Sequence, residues 1–291
     1  MPELPEVETI VRGLNKLLFE KTITKVVSDT NKSFPNSFDD VNGFLINSKI
    51  MKVARRGKVI IIDLSTNYSL ITHLKMTGQL IYRSSKQNFG GGHPNDSLVG
   101  KLPDRSTRVV IEFSDASQLF FNDQRKFGWM RLLPTVEVPN IDFFKKLGPE
   151  PLESSFSLQE FVGRLQRRKN SSIKPVLLDQ TIIAGIGNIY ADESLWMSKI
   201  HPATKVYQLS KPKSKQLFDN IRSVLNLSIE KGGSTDRNYL NAEGKKGSYL
   251  DFANVFRKDG QPCSRCGTTI IKFKLFGRGT HICPNEQRLI K

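Results

Sequence analysis

Three cysteines in 291 residues cannot build a paired disulfide framework, and all three fall in the last thirty positions. That scarcity points to a reducing compartment and to a metal site near the C-terminus. No apolar run reaches membrane-spanning length, and the N-terminus lacks the apolar core of a secretory signal, so a cytoplasmic protein with no membrane partner is expected. Acidic residues are also few: 28 Asp and Glu stand against 44 Lys and Arg, a formal charge of +16 spread along the chain. A basic field of this kind favours a polyanion, foremost nucleic acid. The length suffices for two domains, each with its own core.

What is present begins at the first residues, Met1-Pro2-Glu3-Leu4-Pro5-Glu6-Val7-Glu8. Removal of Met1 leaves Pro2 as a secondary amine with the Glu3 carboxylate beside it. An α-amino group titrates near neutrality, and a secondary amine that attacks an aldehyde-like carbon gives an iminium directly. Pro5 and the acids also suit a helix start. Val7, Ile10, Val11, Leu14, Leu17 and Leu18 continue at helical spacing.

From Thr22 to Leu133 the pattern changes to short β-rich runs: 23–27, 59–64, 69–73, 79–82, 108–113, 118–121 and 129–133. Ser84 to Arg105, with Gly90-Gly91-Gly92, reads as a polar mobile loop. Beyond a linker ending near Leu152, helical spacing predicts helices over 156–168, 173–178, 189–198 and 217–231, with Gly232 closing the last. The expected fold is α+β in two domains. An N-terminal helix plus β-sandwich spans 1–134, and 135–153 is a linker. A helical domain with a helix–two-turn–helix element spans 154–251, and a zinc-ribbon-like β-hairpin spans 252–291.

Cys263-x-x-Cys266 and Cys283 have the spacing of a tetrahedral zinc ribbon. Glu286 stands where a fourth cysteine is expected, and His281 is also near. Between the knuckles Phe276-Gly277-Arg278-Gly279 reads as a hairpin tip that brings a guanidinium close to phosphate. Ala184-Gly185-Ile186-Gly187-Asn188 makes a Gly-rich turn whose following helix N-terminus can hold another phosphate. Met76, and Phe127 beside Arg125, sit on loops after strands, where they suit wedges entering a base stack or ordinary core residues.

Together these motifs resemble the formamidopyrimidine-DNA glycosylase family in nearly full-length order. Arg56-Gly57-Lys58, His73-Leu74-Lys75-Met76-Thr77-Gly78, Asp123-Gln124-Arg125-Lys126-Phe127-Gly128, Leu147-Gly148-Pro149-Glu150-Pro151-Leu152 and Ile173-Lys174-Pro175 complete the set. The resemblance implies a monomeric base-excision repair enzyme acting on double-stranded DNA. Such an enzyme flips out an oxidised purine, attacks C1′ through Pro2 and nicks the strand by β,δ-elimination. It places Glu3 as general acid/base with Glu6 in support. Lys58 and Arg278 join Pro2 and Glu3 in the catalytic set; Lys174 and Asn188 share a phosphate clamp with Arg278, and His73 adds a backbone contact. Met76, Arg125 and Phe127 match the residues that fill the gap left by the flipped base. One structural Zn2+ on Cys263, Cys266, Cys283 and Glu286 is implied, although plant-type members dispense with zinc. Endonuclease VIII-like enzymes, which act on oxidised pyrimidines and begin Met-Pro-Glu-Gly-Pro, are the competing reading, and a non-catalytic lesion binder is another. Leu4 and the segment from Gly232 to Tyr249, which resembles the loop covering 8-oxoguanine, favour purines. Three departures stand out: Glu286, Lys75 where glycine is usual, and the long stretch from Ser84 to Arg105.

Overall fold

In a computed structural model, which describes residues 1–234 and 249–289, the chain forms two compact units. One holds Met1–Lys145 and the described residues that begin at Lys231; the other holds Lys146–Glu230 and the residues from Tyr249.

The first unit opens with α1 (Leu4–Leu18), whose apolar stripe of Val7, Ile10, Leu14 and Leu18 is fully buried. Pro5 fits the first turn, where a backbone N–H has no intrahelical partner to lose. Among the described residues nine antiparallel strands follow: β1 (Ile23–Ser28), β2 (Ile50–Arg56), β3 (Val59–Leu64), β4 (Tyr68–His73), β5 (Gly78–Arg83), β6 (Asn88–Gly92), β7 (Thr107–Phe113), β8 (Gln118–Asp123) and β9 (Trp129–Pro134). They form a five-stranded sheet, β1-β7-β8-β5-β6, and a four-stranded sheet, β2-β3-β4-β9. Ile60, Ile62 and Leu70 from one sheet and Leu80, Val109, Ile111 and Phe121 from the other share a single core with α1. That is a β-sandwich closed by a helix, as expected. Short α2 (Phe38–Asp40) runs into a π-turn over Val41–Leu45, and α3 (Asp142–Lys145) ends the unit.

The Ser84–Arg105 stretch corrects the reading of a mobile loop. Residues 88–92 are strand β6, paired with β5 so that Gly90 faces Ile81 and Gly92 faces Gln79. Phe89 is buried beneath α1, and a Cβ on Gly13 would stand 2.4 Å from its ring. The glycines here answer close packing: a Cβ on Gly92 would lie 2.3 Å from the Gly78 carbonyl oxygen. Strand β2 has no counterpart among the β-rich runs of the sequence, because Lys52, Arg55 and Arg56 break its apolar alternation.

The second unit is helical: α4 (Leu158–Gln166), α5 (Ile173–Leu178), α6 (Asn188–Met197), α7 (Lys211–Glu230) and α8 (Tyr249–Phe252), then the hairpin β10 (Ile271–Leu275) and β11 (Arg278–Ile282). The segment Leu147–Leu152, read as linker, docks on this unit. Gly148 N–H donates to the Gln180 carbonyl at 2.7 Å, and Pro149 accepts from the Ala184 amide at 2.9 Å. Residues 235–248, most of the segment likened to the 8-oxoguanine loop, lie outside the described residues. No helix among the described residues is long and apolar enough to cross a membrane.

Candidate active site and nucleic-acid interface

Pro2, Glu3 and Glu6 are all buried at the head of α1, whereas Met1 is 46% exposed. Glu6 organises this end. One carboxylate oxygen accepts the Glu3 amide at 2.8 Å, and the other accepts the Ser234 amide at 2.7 Å. Gly233, with φ +88°, comes so close that a Cβ would stand 3.3 Å from the Glu6 carboxylate. Glu6 is therefore a brace between the helix start and the chain leaving Gly232. Glu8 faces the other way and pairs with Arg55 at 2.7 Å and Arg12 at 2.8 Å. Lys58 sits in the two-residue turn joining β2 to β3, where Gly57 takes a positive φ of 58°, and it is 5% exposed.

His73 ends β4 and is buried against Trp129 and Phe143. Burial first, then the nearby Lys75 and Lys58 charges, pull its pKa down to about 3. Its Nδ1 accepts the Lys75 amide at 3.0 Å, so the ring is neutral with its proton on Nε2. The ring therefore carries an uncharged Nε2–H donor. The unfolded chain takes up this proton near pH 6.5 and the folded chain only near 3. Folding therefore loses stability as pH falls through that window, by at most about 1.4 kcal/mol per pH unit, and loses none of it above. Denaturant midpoints at pH 7, 6 and 5 should fall less for His73→Gln than for the parent; parallel decline would contradict the buried neutral ring.

The two loops carrying Met76, Arg125 and Phe127 are joined by one carboxylate that the motifs did not single out as functional. Asp123, 1% exposed at the end of β8, accepts the Thr77 hydroxyl and the amides of Arg125 (3.2 Å), Phe127 (2.8 Å) and Gly128 (2.6 Å). Thr77 Oγ1 also accepts the Arg125 amide at 3.0 Å. Gly128 is required, since a Cβ would stand 2.8 Å from the Phe121 ring. Met76 and Phe127 remain exposed, at 39% and 49%, and the Arg125 guanidinium lies 4.8 Å from the Phe127 ring centre. In the same unit His93, after β6, has its pKa lowered first by burial and then by the charge of the Met1 amine, with Asp123 opposing.

In the second unit, Gln180 fixes the Gly-rich turn by donating to the Ile186 carbonyl at 2.8 Å and accepting the Gly185 amide at 2.9 Å. Asn188 opens α6 and donates to the Gly279 carbonyl at 2.9 Å. Lys174 is 1% exposed: its ammonium pairs with Asp192 at 2.6 Å and donates to Thr280 Oγ1 at 2.8 Å and the Gly279 carbonyl at 3.1 Å. Asp192 also accepts the His281 amide and holds the His281 ring at 3.1 Å. The lysine assigned to a phosphate clamp thus supports the strand that follows Arg278, while Arg278 itself is exposed. Glu193, fully buried, accepts the Asn254, Val255 and Phe256 amides and the Asn254 side chain, which ties the C-terminal module to α6. Burial pushes its pKa up against those hydrogen bonds.

Cys263, Cys266 and Cys283 bring their sulfurs within 4.8 Å of one another, with Cys266 and Cys283 at 3.5 Å. Three convergent thiols on two knuckles fit one zinc ion, which would pin the knuckles together. Hydrogen bonds from Thr268 and Asn285 lower the Cys266 thiol to about 6, and burial raises Cys283 to about 11. The structure does not bring Glu286 into this cluster. Its carboxylate lies 2.9 Å from Lys199 and 3.8 Å from Arg265, whose guanidinium stacks on Trp196 at 3.7 Å. His281 is held by Asp192. Glu286→Cys, which would supply a fourth thiolate to the tetrahedral site, is expected to slow zinc release to a chromogenic chelator; unchanged release would mean that position 286 does not reach the metal.

A braced acidic N-terminus on a β-sandwich, with a helical unit ending in a three-thiol hairpin, defines the class of two-unit base-excision glycosylases. Family models match across the chain: the formamidopyrimidine-DNA glycosylase N-terminal domain over residues 1–130, the formamidopyrimidine-DNA glycosylase H2TH domain over 147–239, and the zinc finger found in FPG and IleRS over 260–285. A formamidopyrimidine-DNA glycosylase of Ligilactobacillus salivarius is 41% identical over 287 residues, covering 99% of both chains. The wild-type Lactococcus lactis Fpg (MutM) bound to DNA containing N7-benzyl-Fapy-dG superposes with a TM-score of 0.86 at 35% identity, covering 99% of this chain and 100% of that one. The Lactococcus lactis Fpg complex with abasic-site DNA gives 0.86 and 35% over 98% and 99%. The chain belongs to the formamidopyrimidine-DNA glycosylase family.

Proposed function

We propose that this protein excises oxidised purines, 8-oxoguanine and formamidopyrimidines, from duplex DNA and then nicks the abasic strand. The observation that carries the reading is the buried Pro2-Glu3 pair at the head of α1, braced by Glu6. With Met1 removed, the Pro2 nitrogen attacks C1′ of the extruded nucleotide and the base departs with the glycosidic electrons. Glu3 protonates the ring oxygen, so the sugar opens to an iminium on Pro2. The iminium acidifies C2′; loss of that proton expels the 3′ phosphate, and a second elimination expels the 5′ phosphate.

The remaining residues bind and position. Met76 and Phe127 enter the stack where the base has left, and Arg125 faces the orphaned partner base. Arg278 and Asn188 hold backbone phosphates, Lys58 neutralises phosphate at the lesion, and Lys174 keeps the hairpin seated. His73 adds an uncharged hydrogen bond. The relatives support this substrate class, being named for formamidopyrimidine or solved with Fapy-dG and abasic-site DNA. Incision of matched duplexes tests it: 8-oxoguanine opposite C should be cut well ahead of thymine glycol, and the reverse order would overturn the purine assignment.

A further inference from the structure

In the β10–β11 hairpin, Leu275 pairs with Arg278, which leaves Phe276 and Gly277 as a two-residue turn. Both have positive φ, 47° and 75°. Turns of this hand favour Asn-Gly, and a bulky residue at positive φ is an outlier. Burial does not compensate, because Phe276 is 63% exposed. The chain therefore keeps a strained, solvent-facing aromatic two positions from Arg278, and strain retained at a surface marks a contact that needs it.

A cavity of about 200 Å³ adjoins the tip. Pro175, Leu178, Leu275 and Phe276 supply an apolar wall, with Lys174, Arg278 and Asp179 beside it, the Asp179 carboxylate being engaged by Arg168 and the Thr181 amide. A hydrocarbon surface next to a guanidinium matches the nucleotide backbone, in which the C–H face of a deoxyribose adjoins a phosphate. We infer that Phe276 packs against the deoxyribose of the nucleotide whose phosphate Arg278 holds, a DNA contact independent of sequence and of charge. The inference rests on the reading of Arg278 as a phosphate ligand.

Phe276→Asn tests it because the two roles of the residue then move in opposite directions. Asn-Gly suits the turn, so the thermal midpoint should rise. Binding to a duplex carrying a tetrahydrofuran abasic analogue, read by fluorescence anisotropy, should weaken roughly five- to thirtyfold, the scale of one aromatic contact to nucleic acid. The salt dependence should keep the parent slope, whereas Arg278→Ala should lower affinity and flatten the slope. Phe276→Tyr should keep the parent Kd. An unchanged Kd for Phe276→Asn, with Arg278→Ala weakened, would overturn the Phe276 contact alone. A lowered thermal midpoint for Phe276→Asn would overturn the strain argument. Unchanged affinity and slope for Arg278→Ala would overturn the phosphate reading on which the contact depends.

Discussion

Protein that retains Met1, or carries any residue ahead of Pro2, is expected to bind abasic-site DNA and leave it intact. The proposed nucleophile is an amine only while Pro2 is terminal. Once its nitrogen is part of a peptide bond, the lone pair is delocalised into the carbonyl and cannot attack C1′. Removal of a covalent nucleophile should lower strand nicking by roughly 10³-fold or more. Binding should change little, because most of the affinity comes from cationic contacts with phosphates. Folding should survive as well: Met1 is 46% exposed while Pro2 is buried, so an added residue has solvent to occupy. The comparison needs N-terminally processed and blocked proteins, assayed side by side for nicking and for anisotropy-detected binding. Equal nicking by both would remove Pro2 from the chemistry.

Asp123→Ala should have the second-largest effect, although nothing in the proposed mechanism requires the carboxylate to touch DNA. It would strip the Thr77 hydroxyl and the Arg125, Phe127 and Gly128 amides of their shared acceptor. A hydrogen bond to a charged group contributes about 1.5–3 kcal/mol, so the folded state should lose about 3 kcal/mol or more. The functional loss should be selective. In the proposed mechanism Met76, Arg125 and Phe127 serve extrusion of a stacked base, and misplacing such groups by an ångström can cost roughly 10²-fold. Excision of 8-oxoguanine should therefore fall far more than nicking of a preformed abasic site, where no base has to leave the stack. Equal losses on both substrates would mean that Asp123 acts through general stability alone.

Much of the architecture was legible because it rests on periodicity and spacing. The α1 stripe, the β-rich apolar runs of β3 and β7, and the two-residue spacing of Cys263 and Cys266 each survive as a pattern in one dimension. What escaped depends on partners without a side-chain signature. Asp123 and Glu193 work by accepting backbone amides, which every residue but proline offers. The Gly90-Gly91-Gly92 run resembles a flexible loop, yet Gly90 and Gly92 are dictated by Leu98 and β5 pressed against the strand. Lys174 looks like any phosphate-seeking lysine until Asp192 is found 2.6 Å from its ammonium. Glu286 occupies a ligand position by spacing, but Lys199 and Arg265 hold it away from the thiols. For the same reason the catalytic candidates at the N-terminus were the easiest to name, since adjacency in sequence is there adjacency in space.

Borohydride trapping on an abasic duplex, followed by peptide mapping of the adduct, tests the central claim most directly. Reduction fixes the imine between enzyme and sugar as a stable secondary or tertiary amine. The account predicts one covalent adduct, carried by the N-terminal peptide on Pro2 and absent from protein blocked ahead of it. An adduct on Lys58 or another lysine, or no adduct from protein shown to begin at Pro2, would contradict it.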